Sequence, residues 1–289
     1  MKEIGILPAK PNAILEIFGV QKAIIGMVHL KALPGAPHFV GGSLEPVLAA
    51  ALADADALQT GGVDGLIIEN AWDLPFSKPE DIGFETVAAM SVIADRLINH
   101  TQLPVGINIL ANGAIQALAV AKAAGARFIR VNQWVNAYVA NEGFVEGPSA
   151  RALRYRSHIN GDDIKIFTDV HVKHGAHAIV ADRSVPEQTR DAVFFDADVL
   201  IATGQRTGDE TPVEEVTTIQ SAAVLPVIVG SGFNTRNAAA LLNKADGAIV
   251  GSSIKQNGLW WNPVDVGLVR ELMQVVQAVR DGADRSETA

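Results

Sequence analysis

The sequence predicts an α/β fold and, within that class, a closed (β/α)8 TIM barrel. Three observations carry this reading. Eight short runs rich in Ile and Val recur along the chain, each followed by a helical pattern. The runs are mostly apolar instead of alternating, as strands covered on both faces read, so the sheet is parallel. Eight units of ~30 to 40 residues also suit one barrel of about 250 residues. A doubly wound open sheet is the alternative arrangement of the same units.

The elements follow in order. Residues 1–22 form an N-terminal segment, in which "NAILEIFG" is a short helix expected to cap the barrel bottom. The eight runs are "AIIGMVHL" (23–30), "GLIIEN" (65–70), "PVGINIL" (104–110), "FIRVN" (128–132), "IKIFTDVHV" (164–172), "VLIAT" (199–203), "PVIVGSG" (226–232) and "GAIVGSS" (247–253). Segments such as "EPVLAAALADADALQTGG" and "AIQALAVAKAAGA" lie between them, with apolar residues at helical spacing. Four junctions, "TGGVDGLIIEN", "AAGARFIRVN", "FFDADVLIATG" and "NKADGAIVGS", share a small or acidic turn residue before the run, which marks a repeated βα unit. The barrel is expected over 23–281 and ends in "DVGLVRELMQVVQAVRD", with Leu268, Leu272, Val275, Val276 and Val279 facing inward. Residues 282–289 are expected to be a disordered tail.

Composition narrows the function classes. With 289 residues, 48% of them hydrophobic, the chain can build one sizeable core. A formal net charge of -9 and the lack of a Lys/Arg stripe argue against nucleic-acid binding, which relies on clustered cations. The chain has no cysteine, so disulfides, thiolate nucleophiles and Cys-ligated zinc are excluded. The start lacks a continuous apolar signal region, and no stretch approaches the ~18 apolar residues of a membrane span. A soluble cytoplasmic protein is expected.

Functional residues of a barrel gather at the carboxyl ends of its strands. The seventh and eighth runs end in Gly230-Ser231-Gly232 and Gly251-Ser252-Ser253. Small residues there let backbone N–H groups approach an anion, and loops in these two positions frequently hold phosphate. No carboxylate occurs from Gly230 to Asn243 or from Gly251 to Pro263, where Arg236 and Lys255 are the only charges. By contrast, Thr211 and Glu214 in "TPVEEV" are placed to form a capping box and fill their own helix start. An anion cradle is predicted, against the plainer reading that these glycines only permit tight turns. The dinucleotide, P-loop, G-x-S-x-G and H-E-x-x-H motifs are all missing.

Polar residues end the other runs. Alternation along "TDVHVKHG" places Asp169, His171 and Lys173 on one side, an acid/base set for proton transfer next to a carbonyl. With Glu69 at the end of the second run, Asp169 and His171 could instead hold a divalent metal, or form an ion pair that fixes the rim. No other cofactor is implied. Lys173 as a Schiff-base nucleophile would need desolvation. Asn70, Asn108, Asn132 and Gln133 suit hydroxyl recognition, as on a sugar, or helix capping. His29 reads equally as substrate contact or satisfied histidine. Trp260 and Trp261 read as barrel cover or subunit contact, which leaves a homo-oligomer open.

"GMVHLKALPGAP", "GLIIENAWDLPF", "FIRVN", "DVHVKH", "ATGQRTG", "VGSGF", "ADGAIVGSSIKQNG" and "NPVD" together resemble the BtpA/SgcQ family over nearly the whole chain. The resemblance implies a barrel akin to the ribulose-phosphate-binding group. The family is named for a cyanobacterial factor of photosystem I biogenesis, although relatives occur in organisms without photosystems and some lie among sugar-uptake genes. Positions matching its motifs, and so inherited as site candidates, are His29, Glu69, Asn132, Asp169, His171, Lys173, Gly230, Ser231, Gly232, Gly251 and Ser252. The expected function is an isomerase, epimerase or lyase acting on a small phosphorylated metabolite such as a sugar phosphate. The alternative is a non-enzymatic stability or assembly factor.

Overall fold

The computed structural model describes residues 8–204, 206 and 208–287. All eight apolar runs are strands: β1 (Ala23–His29), β2 (Gly65–Glu69), β3 (Val105–Asn108), β4 (Phe128–Val131), β7 (Lys165–Asp169), β8 (Val199–Ala202), β9 (Val227–Val229) and β10 (Gly247–Val250). They close in the order β1-β10-β9-β8-β7-β4-β3-β2, every pair parallel. The remaining two, β5 (Ala137–Ala140) and β6 (Gly143–Glu146), form an antiparallel hairpin in the loop after β4.

The fully apolar strands are explained by two cores. Side chains of one parity fill the barrel: Ile25, Met27, Ile67, Phe128, Phe167, Val199, Ile201, Ile228 and Ile249. The other parity packs against helices α2 (Glu45–Gly61), α3 (Phe84–His100), α4 (Ala114–Ala124), α5 (Ser149–His158), α6 (Val185–Phe194), α7 (Val213–Gln220), α8 (Ala238–Leu242) and α9 (Val266–Glu287). Helix α1 (Ala13–Phe18) presses Ile14 and Ile17 onto the inner core, and Phe18 meets Phe128 edge-on at 5.8 Å, while Phe128 stacks on Phe167 at 4.4 Å. Those rings plug the end of the barrel opposite the carboxyl rim. Gly106 makes room for them, since a Cβ there would lie 2.2 Å from the Phe128 ring.

The acidic junction residues each have a bond to make. Asp64, Asp198 and Asp246 accept from the amides of Ile24, Ile166 and Val227, at 2.7, 2.8 and 2.8 Å. Each carboxylate thereby ties the start of its own strand to the start of a neighbour. The last helix differs from expectation at its end. Its backbone runs to Glu287, because residues after Gly282 include no proline and tolerate a helix, so the tail expected to be disordered from 282 is helical up to that point. Among its inward set, Leu272 and Val276 are buried, Leu268, Val275 and Val279 are half-buried, and Val269 is an additional buried contact.

Candidate active site

The carboxyl ends of the strands surround a cavity of 540 Å³. Parallel register builds one wall: His29, Glu69, Asn108 and Arg130 are consecutive partners across β1, β2, β3 and β4. Asn108 Nδ2 donates to Glu69 Oε2 at 2.5 Å and so fixes the carboxyl of Glu69, whose Oε1 lies 3.8 Å from His29 Nε2. His29 Nδ1 is 3.0 Å from the Trp260 carbonyl, an acceptor only, so this nitrogen carries the proton. Burial, with the Lys255 cation adding, pushes His29 down to about 3. His29 is therefore a neutral ring whose Nε2 lone pair faces the cavity wall at Glu69.

Asp169 is not a free base. Arg130 clamps it through two bonds of 3.0 Å, Nε to Oδ1 and Nη2 to Oδ2, and both side chains are buried. The charged member inside "FIRV" was the available signal for this pair, because a guanidinium in a barrel interior requires a carboxylate. Strand β7 ends at Asp169, so the alternation expected to carry Asp169, His171 and Lys173 to one side stops there. Lys173 lines the cavity, whereas His171 stacks on His177 at 3.8 Å, outside it. Burial, with His177 adding, lowers the His171 pKa. Among the described residues no three His, Cys, Asp or Glu side chains group to hold a metal, and Glu69, Asp169 and His171 therefore form no such group.

The amides divide. Asn70 is spent on structure, donating to Asp73 Oδ2 (3.0 Å) and to the Leu110 carbonyl (3.2 Å) while accepting from the Leu110 amide (2.7 Å). Gln133 donates to the Val135 carbonyl at 2.5 Å. Only Asn132 of the set lines the cavity, and its buried Oδ1 has no partner among the described residues. Much of the remaining wall is apolar or aromatic, including Phe76, Tyr138, Val172, Phe233 and Trp260, which sequence reasoning had not connected to the site. Trp260 packs against Trp72 at 5.1 Å, while Trp261 is 48% exposed.

Residues Gly230, Ser231, Gly232, Gly251, Ser252 and Ser253 all line this cavity, together with Lys173 and Glu69. Among the described residues no protein acceptor is found for the backbone N–H groups of Gly232, Phe233, Ser252 and Ser253. Their hydroxyl neighbours shape the loops instead: Ser231 Oγ donates to the Arg206 carbonyl at 3.2 Å, and Ser253 Oγ to the Phe233 carbonyl at 2.6 Å. Gly232 has φ 66°, and a Cβ would fall 2.0 Å from the Asp209 carbonyl oxygen. One expectation about charge is corrected: Lys255 turns away from the loops into a buried pair with Asp54 at 2.6 Å. Arg236 lines the cavity and is exposed beside Glu210 at 3.4 Å. The capping box does not form either. Thr211 Oγ1 donates to the Ser231 carbonyl at 2.9 Å and helix α7 has no side-chain cap, while Glu215 Oε1 accepts from the amides of Thr203 and Gly204.

Burial and the Arg130 guanidinium push Lys173 down to about 8, against the opposing fields of Asp169, Glu69 and Asp209. The cavity thus combines unpaired amides, an amine that burial makes easier to deprotonate, and a positioned carboxyl. No described helix is long and apolar enough to cross a membrane.

The BtpA family is matched over residues 20–278. A mitochondrial protein of Caenorhabditis elegans is 38% identical over 262 residues, covering 89% of this chain and 94% of its own. The photosystem I biogenesis protein BtpA of Synechocystis is 39% identical over 246 residues, covering 85% and 84%. Among solved structures, N-(5'-phosphoribosyl)anthranilate isomerase from Pyrococcus furiosus superposes with a TM-score of 0.53 at 12% identity, over 89% of this chain and 99% of that one. That last likeness is one of fold.

Proposed function

The chain belongs to the BtpA family, and from that membership and the site geometry we propose an enzyme of the isomerase, epimerase or lyase type that acts on a small phosphorylated metabolite. One observation carries the reading: amides without protein acceptors, on the loops after β9 and β10, share a cavity with Lys173 and Glu69. A phosphate would take those N–H groups as charge-assisted bonds, and the two loops that carry them hold no carboxylate of their own. The cavity volume suits a small ligand. A phosphorylated substrate in the name of a barrel of the same fold adds support. Asn132 Oδ1 would accept from a hydroxyl or N–H of that ligand. We place the protein in the cytoplasm, as a cysteine-free acidic chain, although the nematode relative is named mitochondrial.

The test is a thermal-shift panel of inorganic phosphate, sugar phosphates and nucleotides. Phosphate and at least one phosphorylated metabolite are expected to raise the melting temperature, and a flat response to the whole panel would remove the reading. A second reading, an assembly factor, is favoured by the name of the Synechocystis relative. It gives no reason for the unpaired amides, and a nematode relative of similar identity has no photosystem to assemble.

A further inference from the structure

Several lysines fold back onto the protein and end on an acceptor. Lys10 meets Asp198 at 2.9 Å, Lys22 the Ala245 carbonyl at 3.0 Å, Lys165 Glu16 at 2.9 Å and Lys255 Asp54 at 2.6 Å. Lys173 behaves differently. Its backbone is anchored, the amide donating to Thr203 Oγ1 at 3.2 Å, yet among the described residues its Nζ has no hydrogen-bond acceptor and no ion-pair partner. After burial, the strongest influence on it is the field of Arg130, a guanidinium already bonded twice to Asp169. A half-buried amine held in the cavity beside a fixed cation gives up its proton more readily than an exposed lysine, and its neutral fraction is placed to act as a nucleophile.

We infer that Lys173 forms an imine with a carbonyl substrate whose phosphate rests on the loops after β9 and β10. The inference rests on the phosphate reading above and names the substrate class and the covalent step. The neutral Nζ attacks the carbonyl carbon and the carbonyl oxygen takes up a proton, giving a carbinolamine. Departure of its hydroxyl as water, with one further proton supplied, leaves a protonated C=N bond; the net change is amine, carbonyl and one proton to iminium and one water. Glu69, which Asn108 holds in the cavity wall, is the group that passes the proton to the departing hydroxyl. The iminium then withdraws electrons from the adjacent carbon, which is the activation used by those isomerases, epimerases and lyases that form a carbanion at that carbon. The apolar wall of Phe76, Tyr138 and Val172 excludes water from the bond once formed.

The experiment uses the full chain with dihydroxyacetone phosphate and with pyridoxal phosphate, reduced by sodium borohydride and mapped by peptide mass spectrometry. A secondary-amine adduct at Lys173 is expected. It should be suppressed tenfold or more by excess inorganic phosphate, and be much slower with unphosphorylated dihydroxyacetone and pyridoxal. Lys173→Arg should lose the adduct while keeping the phosphate-induced rise in melting temperature. Labelling spread over exposed lysines, or an adduct at Lys173 indifferent to phosphate, overturns the inference. So does a Lys173 that is never trapped while the same compounds raise the melting temperature, since the amine would then be only a counter-ion. If inorganic phosphate causes no shift at all, it is the phosphate reading that has failed.

Discussion

At the scale of the residue, charge in this site is governed by which groups are already paired. Arg130 and Asp169 neutralise each other, and Lys173 is left beside them in a cavity that disfavours its charge. The sign is fixed: the folded value near 8 lies below the ordinary 10.5, so folding favours the neutral amine. At pH 7 an amine of that value is about one-tenth neutral, roughly three hundred times the fraction of an ordinary lysine. Borohydride trapping at Lys173 is therefore expected to rise about tenfold per pH unit below 8 and to level off above it. Asp169 is one of the groups holding the value up, together with Glu69 and Asp209, while Arg130 pulls it down. Asp169→Asn should consequently move the midpoint lower. The same substitution strands a buried guanidinium and is expected to cost about 3–5 kcal/mol in urea unfolding. If trapping in Asp169→Asn had an unchanged midpoint, the electrostatic account of Lys173 would be wrong.

At the scale of the element, the strands were readable because a barrel strand is buried on both faces and leaves an unbroken apolar run. Their starts were readable too, since the acidic junction residues serve as acceptors: Asp246→Ala would leave the Val227 amide unpaired and is expected to cost about 1–3 kcal/mol by denaturant unfolding. What escaped was whatever depends on partners far apart in sequence. The Arg130–Asp169 clamp spans 39 residues, and nothing local distinguishes an Asp that is clamped from one that is free. Alternation was extended beyond Asp169 into a segment that is no longer strand, which misplaced His171. The β5–β6 hairpin went unread although Gly143, at φ 101°, marks its turn. The proposed phosphate loops depend on local geometry at Gly232 in particular. Gly232→Ala must shift the Asp209 backbone and is expected to abolish the phosphate-induced thermal shift, whereas Arg236→Ala, at an exposed rim position, should weaken it by less than tenfold.

At the scale of the whole molecule, the barrel separates stability from binding. Among the described residues, the end plugged by α1, Phe18, Phe128 and Phe167 adds no group to the cavity, and the open rim carries the unpaired amides, the amine and the carboxyl. Lys255 lies close to the rim in sequence yet belongs to the stabilising half, since its ammonium is buried against Asp54, which also accepts from the Val264 amide at 2.8 Å. Lys255→Met is thus expected to lower stability by about 3–5 kcal/mol through the stranded carboxylate. It should leave the increment from phosphate intact. For wild type, a ligand at about 100 times its dissociation constant adds about 2.7 kcal/mol, or roughly 4–5 °C in a chain of this size. The two variants then give opposite patterns in one calorimetric experiment: Lys255→Met starts lower and rises by the same increment, while Gly232→Ala does not rise. A Lys255→Met protein that lost the increment would return that lysine to the anion site, and would show that the rim and the outer core are one energetic unit.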